Sequence, residues 1–269
     1  MTGVQTCALP IYYRTNNLSA YAKELPFAAL PELSFGKPKD NPIMGSSSTS
    51  RSAGYVFRAR YNYDEKYMAE FTGRYDGSYK FAGMRKTRWG FFPSASIGWN
   101  MAKERWFDNI PQVNDFKLRA SVGLLGNDNV SSYMFMSSYS QSSDKIIYQG
   151  NGTAVSSPMY TTSAVPSPDL TWEKTLSYNG GVDLNMWNGK LGAEIDVFYN
   201  YTFDMLTAQG SDFPSSMGGY YATYINHNAV DTKGVDIMLS HKNTVMLGSK
   251  PFYYGISASL TYAYTRWLI

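Results

Sequence analysis

The sequence has almost no cysteine and few charged side chains. One cysteine, Cys7, occurs in 269 residues, which excludes a disulfide framework and a cysteine-based metal site. Charged residues make up 17% of the chain, whereas about 25% is typical. No stretch approaches the roughly 18 consecutive apolar residues that a membrane-spanning helix requires. The chain is therefore neither a disulfide-stabilised domain nor a helical membrane protein.

Signals for nucleic-acid binding and for catalysis are also missing. The net charge is only +3 and the lysines and arginines form no run, so we expect no nucleic-acid partner. His227 and His241 have no neighbour at metal-ligand spacing, and the chain has no glycine-rich phosphate loop. We therefore predict no enzyme activity, no cofactor and no bound metal.

The first eleven residues, MTGVQTCALPI, do not form a secretory signal. No Lys or Arg precedes Arg14, and the stretch contains no sustained apolar run. It matches the conceptual translation of a common sequencing-library adapter. We interpret residues 1–11, including Cys7, as an adapter artefact, and we expect the protein's own sequence to start near Tyr12.

Aromatic residues are abundant, at 16% of the chain, and they alternate with polar ones. In YVFRARYNY, residues 55–63, the odd positions are Tyr, Phe or Ala, and the even positions include Arg58, Arg60 and Asn62. Successive side chains of a strand point to opposite faces, so such a run predicts a strand with one aromatic and one polar face. Similar runs cover residues 67–75, 89–100, 116–124, 172–187, 190–202, 233–241 and 251–265.

The length of these runs favours a membrane barrel. Each has about nine residues or more, whereas strands of soluble sheets usually have about five or six. A strand of about 9–11 residues crosses a bilayer at a tilt. The predicted fold is all-β: an antiparallel transmembrane β-barrel fragment of about eight long strands in meander hairpins with long outer loops. A soluble carbohydrate-binding β-sandwich is the alternative, because its sheets also alternate.

Short and long connections divide between the two ends of the strands. Short turns are predicted at Asp64–Lys66 and Asn188–Gly189, and long polar loops at residues 77–88, 125–170 and 203–232. Outer-membrane barrels have short turns on the inner side and long loops outside.

The alternation of short inner turns and long outer loops also assigns the remaining connections to one end of the strands or the other. Residues 102–115 and 242–250 become inner links, and residues 45–52 become part of an outer loop. Residues 125–170 form one outer loop, with a local hairpin near residues 132–139. Amphipathic aromatic rings suit the headgroup layers, so we predict a girdle with Trp89 and Trp172 at the outer rim and Trp99 and Trp187 at the inner rim.

Five motifs carry a family resemblance. FRARYNYDEKYMAEFTGRYDGSYKF (57–81), WGFFPSASIGW (89–99), GNDN (126–129), LTWEKT (170–175) and TKGVDI (232–237) strongly resemble the β-barrel of SusC/RagA-type TonB-dependent transporters of Bacteroidetes. The resemblance implies a barrel of about 22 strands around an N-terminal plug, opened by the TonB complex. It also implies a SusD-like surface lipoprotein that helps capture oligosaccharides or peptides. Residues 12–269 are then a partial barrel domain of the bacterial outer membrane, with the plug, the signal peptide and the C-terminal strands absent.

Alternation places charged side chains on the polar face, which lines the lumen in such a barrel. The lumen-facing candidates are Arg58, Arg60, Arg74, Arg119, Glu173, Asp183, Glu194 and Asp196. We interpret the carboxylates as wall residues and not as a glycosidase pair. Tyrosines of the outer loops are candidates for stacking on sugar rings: Tyr133, Tyr139, Tyr148, Tyr160, Tyr220 and Tyr221.

Overall fold

A computed structural model of the chain describes residues 3–19, 44–82, 87–150, 153–164, 166–208 and 224–268. These residues form thirteen strands and two short 3-10 turns, Met101–Lys103 and Arg105–Phe107. The strands are β1 (Gly3–Ser19), β2 (Met44–Tyr63), β3 (Tyr67–Ser78), β4 (Trp89–Asn100), β5 (Val113–Asn127), β6 (Ser138–Gly150), β7 (Thr153–Ala164), β8 (Glu173–Met186), β9 (Leu191–Phe203), β10 (Leu206–Ala208), β11 (Tyr224–Asn226), β12 (Ala229–Leu247) and β13 (Lys250–Leu268).

Nine of the strands form one antiparallel sheet. Its order is β1-β2-β3-β4-β5-β8-β9-β12-β13, so every strand pairs with the strand that follows it once the two small loop hairpins are set aside. The sheet strands have 12 to 20 residues, which confirms the expectation of long strands in a meander. The sheet does not close on itself, and β1 and β13 are its two edges.

No helix among the described residues is long and apolar enough to cross a membrane.

The connections divide between the two ends of the sheet as predicted. At the inner end lie residues 64–66, 101–112, 187–190 and 248–249, and the connections that follow Ser78, Asn127 and Phe203 leave the sheet at its outer end. Asn188 and Gly189 have positive φ angles of 57° and 83°, the backbone of a tight hairpin turn. Because β5 and β8 are antiparallel neighbours, the outer loop between them makes no net crossing.

Two segments expected to be connections are strands. Residues 45–52 belong to β2, because they pair residue for residue with β1, from Gly45 opposite Leu18 to Ser52 opposite Ile11. Most of residues 242–250 belongs to β12. The turn between β12 and β13 has only two residues, of which Gly248 has a φ of 63°. In both places the neighbouring strand satisfies the backbone groups, and this pairing overrides the weak strand preference of the side chains.

The loop hairpin also lies further along the chain than expected. It consists of β6 and β7, paired from Ser138 opposite Ala164 to Gly150 opposite Thr153. Residues 132–135 form a turn instead. Tyr133 has a φ of 63°, and the Met136 amide donates to the Tyr133 carbonyl, so the chain reverses before it becomes extended.

The strand β1 includes most of residues 1–11. Gly3–Ser19 pairs along its whole length with β2, so the main sheet has nine strands where the alternation counted about eight. The adapter interpretation concerns the origin of these residues and stays a prediction.

The sheet has one apolar and one polar face. Side chains that share a row across the apolar face are Tyr67, Trp99, Leu118, Val182, Ile195, Ile237 and Leu260. Many side chains of this face are exposed: Tyr55 to 57%, Ile97 to 65% and Val197 to 59%. No second sheet of the described residues covers them, as a sandwich would require. An apolar surface of this extent indicates contact with an apolar medium.

Replacing Val197 by Arg tests which face meets hydrocarbon. In the intact barrel we expect this change to cost about 2 to 4 kcal/mol of folding free energy, because it places a cation in lipid. The measurement is urea unfolding in lipid vesicles. The control is Asn200→Arg on the polar face of the same strand, which we expect to have a small effect. Equal costs for the two variants would contradict the assignment of faces.

Candidate functional site

The polar face is continuous across the sheet. One row of paired residues runs Arg58, Thr72, Ser94, Gly123, Ser177, Asn200 and Thr232. Small hydroxyl and amide side chains therefore form the middle of this row. Ser177 donates to the Asn200 side-chain oxygen at 2.6 Å, and Thr175 and Thr202 share a hydrogen bond of 2.9 Å. The face thus presents groups that water or a polar solute can hydrogen-bond.

Glu70 organises the charges of β2 and β3. Arg58 binds it through two hydrogen bonds, Nε to Oε1 at 2.8 Å and Nη2 to Oε2 at 2.7 Å. Arg60 Nε donates to Oε2 at 2.9 Å. The Glu70 side chain keeps 24% of its surface exposed. Ion pairs with this much solvent contribute little to stability, so they orient the two arginines more than they stabilise the fold.

Arg119 organises a second group of charges on β5, β8 and β9. Its Nη2 lies 2.7 Å from Asp183 Oδ1 and 2.9 Å from Asp196 Oδ2. The guanidinium therefore bridges two neighbouring strands. Three of the predicted lumen-facing residues meet at this point, and none of them adjoins another in the sequence.

The remaining predicted lumen-facing residues also lie on the polar face. Arg74 pairs with Asp76 at 3.1 Å. Glu173 accepts a hydrogen bond from the Asn127 side chain at 3.0 Å, at the outer end of the face. Glu194 lies opposite Asp183 in register and has no hydrogen bond or ion pair among the described residues. Substrate contact by any of the eight stays a prediction.

Further carboxylates of this face were not among the candidates, Glu70 and Asp236 among them. Asp236 lies directly opposite Asp196. One oxygen of Asp196 and one of Asp236 are buried without a hydrogen-bond donor among the described residues. Carboxylates of β8, β9 and β12 therefore outnumber the cations beside them. Only pairing across strands reveals this excess, since the sequence positions are far apart.

Two adjoining grooves lie beside the Glu70 group, and one of them reaches Arg119. One, of about 420 Å³, is lined by residues that include Thr72, Ser94, Ser121 and Ser177. The other, of about 450 Å³, reaches from Arg60 and Glu70 to Arg119. The grooves combine hydroxyl groups with charges of both signs. Such a surface suits a hydrated polar solute and offers no nucleophile activated by a neighbouring base.

A small hydrophobic core lies at the outer end of the polar face. It consists of Phe81, Phe92, Val130, Leu170 and Trp172, which we call the loop core. The Phe92 ring comes from the polar face of β4, and the other four residues come from the outer loops. The Trp172 ring lies 5.4 Å from that of Phe81 and 5.2 Å from that of Phe92. The outer loops therefore fold over the polar face and not over the apolar one.

Hydrogen bonds join the same loops to one another. Asp128, in the GNDN motif, accepts from Ser78 Oγ at 2.6 Å, and its carbonyl accepts from Lys80 Nζ at 2.9 Å. The Thr171 amide donates to the Asn226 side chain at 2.8 Å, and Asn226 Nδ2 donates back to the Thr171 carbonyl at 2.9 Å. The connections that follow β3, β5 and β9 thus pack against one another.

The four predicted girdle tryptophans occupy different environments. Trp89 is 39% exposed at the outer rim, with its ring 5.0 Å from that of Tyr75. Trp99 stacks on Tyr67 at the inner rim, and Trp187 lies in the inner turn, 49% exposed. Trp172 differs from the expectation: it is only 7% exposed, because it packs in the loop core and donates to the Arg88 carbonyl. The girdle role stays a prediction for the other three.

Glu104 anchors the inner aromatic pair. This residue lies in the link between β4 and β5, and its Oε1 accepts hydrogen bonds from the Tyr67 hydroxyl at 2.6 Å and the Trp99 indole at 3.2 Å. These two donors, with Lys66 nearby, hold the pKa of the Glu104 carboxyl below its ordinary value. The carboxylate is therefore charged at neutral pH, and the link stays bound to the rim.

Most of the loop tyrosines lie outside the described side chains. Tyr133 is described, 47% exposed, with its ring against that of Tyr79 at 5.9 Å. The side chains of Tyr139, Tyr148 and Tyr160, and the whole of Tyr220 and Tyr221, are outside the described part of the chain. Within the described part, no group of three metal-ligating side chains is found.

A sheet with an exposed apolar face, a hydrated polar face and loops gathered at one end is the wall of a transmembrane β-barrel. The family model of the TonB-dependent receptor-like β-barrel matches residues 10–267. The chain therefore belongs to the TonB-dependent receptor family, whose barrels lie in the bacterial outer membrane. This family consists of receptors and transporters and not of enzymes.

Relatives and solved structures agree with this assignment. The TonB-dependent receptor SusC of Bacteroides thetaiotaomicron is 27% identical over 215 residues, which are 77% of this chain and 20% of SusC. The TonB-dependent receptor P26 of Formosa agariphila is 28% identical over 213 residues, 78% of this chain and 20% of that protein. The chain spans about a fifth of the length of these curated relatives.

The fold matches a solved structure along nearly its whole length. A chain of the RagAB peptide importer in its closed-closed state superposes with a TM-score of 0.74 and 23% identity. The match covers 99% of this chain and 28% of that one. At this identity the likeness shows the fold alone.

Replacing Phe81 by Ala tests the loop core. Phe81 is fully buried, and removing such a ring costs about 3 to 5 kcal/mol, so we expect the outer loops of the intact protein to loosen while the barrel persists. Limited proteolysis from the outside measures the change. Phe91→Ala, at an exposed position of the apolar face, is the control. Loops of the Phe81 variant that resist protease as the unmodified protein does would contradict the prediction.

Proposed function

We propose that this chain supplies part of the wall of a TonB-dependent transporter that imports oligosaccharides or peptides. The observation that carries the proposal is the hydrated polar face, with two grooves lying beneath outer loops that fold over it. Family membership sets the class of protein. A wall of this kind leaves a polar path beside lipid.

Both substrate classes have support from chemistry. Hydroxyl and amide side chains such as Ser94, Ser121 and Asn200 donate and accept hydrogen bonds, as sugars and peptide groups do. One similar structure is described as a peptide importer, RagAB, and one relative is the receptor SusC. These descriptions apply to those proteins. For this chain we propose a surface lipoprotein of the SusD type as the partner that presents the substrate.

The TonB complex is the proposed source of energy. The relatives SusC and P26 are TonB-dependent receptors, and the segment that contacts TonB belongs to the plug in such transporters. The described strands of the main sheet have a passive role: their apolar side chains face lipid and their polar side chains face the path. The transport step itself takes place in other parts of the protein.

Uptake by cells that carry the intact gene tests the proposal. We expect deletion of the gene to abolish growth on one substrate class, offered in separate cultures as oligosaccharides or as peptides. A protonophore should stop uptake of the same class, because the TonB complex uses the proton-motive force. Growth of the deletion strain on both classes at the unmodified rate would contradict the proposal.

A matched pair of variants locates the path in this segment. Ser121→Trp places an indole in the groove of the polar face, and Val122→Trp, at the next residue, points to the apolar face. We expect uptake to fall in the first variant only, with equal amounts of folded barrel in both. Equal uptake by the two variants would show that the path does not pass along this wall.

A further inference from the structure

The apolar face contains a depression in the middle of the sheet. Small residues form its floor, where Ala120 lies opposite Gly180 and Ala95 lies close by. Larger side chains border it, among them Val197 and Tyr199. The depression has a volume of about 750 Å³. It is a shallow apolar channel on the surface that faces lipid.

One cation stands at the border of this channel. Lys233 of β12 lines it and lies in register between Tyr199 of β9 and Tyr264 of β13. Its side chain is exposed and has no hydrogen bond or ion pair among the described residues. By contrast, the next charges outward on this face neutralise one another, with Arg266 Nη2 at 2.7 Å from Asp231 Oδ2.

Lys233 lies where the apolar part of its strand ends. From the middle of β12 outward, the same face carries Leu239, Ile237 and Val235 before it reaches Lys233. The long loops are at this end of the strand, so Lys233 is at the outer leaflet. A lysine at such a depth extends its ammonium to the headgroup layer, where tyrosines also concentrate.

We propose that the channel and Lys233 form a binding site for an anionic phospholipid-like lipid of the outer leaflet. An acyl chain lies along Ala95, Ala120 and Gly180, and the headgroup phosphate binds the Lys233 ammonium. The charges are complementary, and the ammonium has no competing partner among the described residues. The tyrosine rings beside it fix the level of the headgroup.

A lipid fits this site better than a second protein strand does. A strand adds to a sheet only at an edge, and the channel lies on β4, β5, β8, β9 and β12, whose backbones are paired on both sides. The site is independent of the transported substrate, because it lies on the opposite face of the wall. We expect the site to retain anionic lipids at the surface of the barrel.

Native mass spectrometry of the intact transporter in non-ionic detergent tests the proposal. The probes are dimyristoylphosphatidylglycerol, which is anionic, and dimyristoylphosphatidylcholine, which has the same chains without net charge. We expect the protein to retain the anionic lipid about five-fold more strongly, the ratio that one lysine near an anionic surface provides. Equal retention of the two lipids by the unmodified protein would overturn the proposal.

Two variants separate the headgroup contact from the chain contact. Lys233→Gln should abolish the preference for the anionic lipid, and Gly180→Leu should lower the retention of both lipids by filling the channel. A Cβ at Gly180 has its nearest neighbour, the Arg119 carbonyl oxygen, at 4.0 Å, so the barrel accommodates the larger residue. Ala120→Leu fills the same channel if the first variant yields no folded barrel.

The controls make the same chemical changes elsewhere. Lys190→Gln removes an exposed lysine at the inner turn, and Ala59→Leu enlarges a side chain on the same face two strands from the channel. Neither should alter lipid retention. A preference that survives in Lys233→Gln would overturn the headgroup contact. Displacement of the lipid by inorganic phosphate alone, with no effect of Gly180→Leu, would show a phosphate site and overturn the lipid site.

Discussion

Backbone pairing is the constraint on which the rest of this structure depends. Inside hydrocarbon no water is available, so each N–H and C=O of a spanning strand needs a partner in the protein. The ladder from β1 to β13 meets this need for seven strands on both sides. It also explains why the serine-rich residues 45–52 are extended, although their side chains do not favour a strand: the partner strand β1 fixes their backbone.

Once the backbone is paired, alternation divides the chemistry of the wall into two faces. On one face, no second layer of the described residues covers the aromatic and aliphatic side chains, and lipid takes the place of a core. On the other face, Arg58, Arg60 and Arg119 are held by carboxylates from neighbouring strands, so each of these three cations is paired. The only compact core of the described residues is the loop core, which keeps the loops over the polar side.

Much of this arrangement could be predicted from the sequence, because a strand has a period of two and the runs are long. That period predicts the strand positions and the faces of Arg119 and Asp196. The Asn-Gly pair predicts the turn at Asn188–Gly189. The convergence of Arg119, Asp183 and Asp196 could not be predicted, because no single run of the sequence shows how distant strands align with one another. The prediction that Trp172 lies in the girdle failed for a similar reason, because its own run does not show which distant residues pack against it. Its burial depends on Phe81 and Phe92, which only the folded loops bring to it.

Cysteine scanning along β9 tests the central claim, that this sheet separates lipid from a hydrated path. In the intact transporter with its native cysteines replaced by Ser, single cysteines at positions 195 to 198 and 200 are treated in the native membrane with a charged, water-soluble thiol reagent or a lipid-soluble one. We expect cysteines in place of Asp196, Phe198 and Asn200 to react with the water-soluble reagent, and those in place of Ile195 and Val197 to react only with the lipid-soluble one. Reactivity that fails to alternate, or that alternates in the opposite sense, would contradict it.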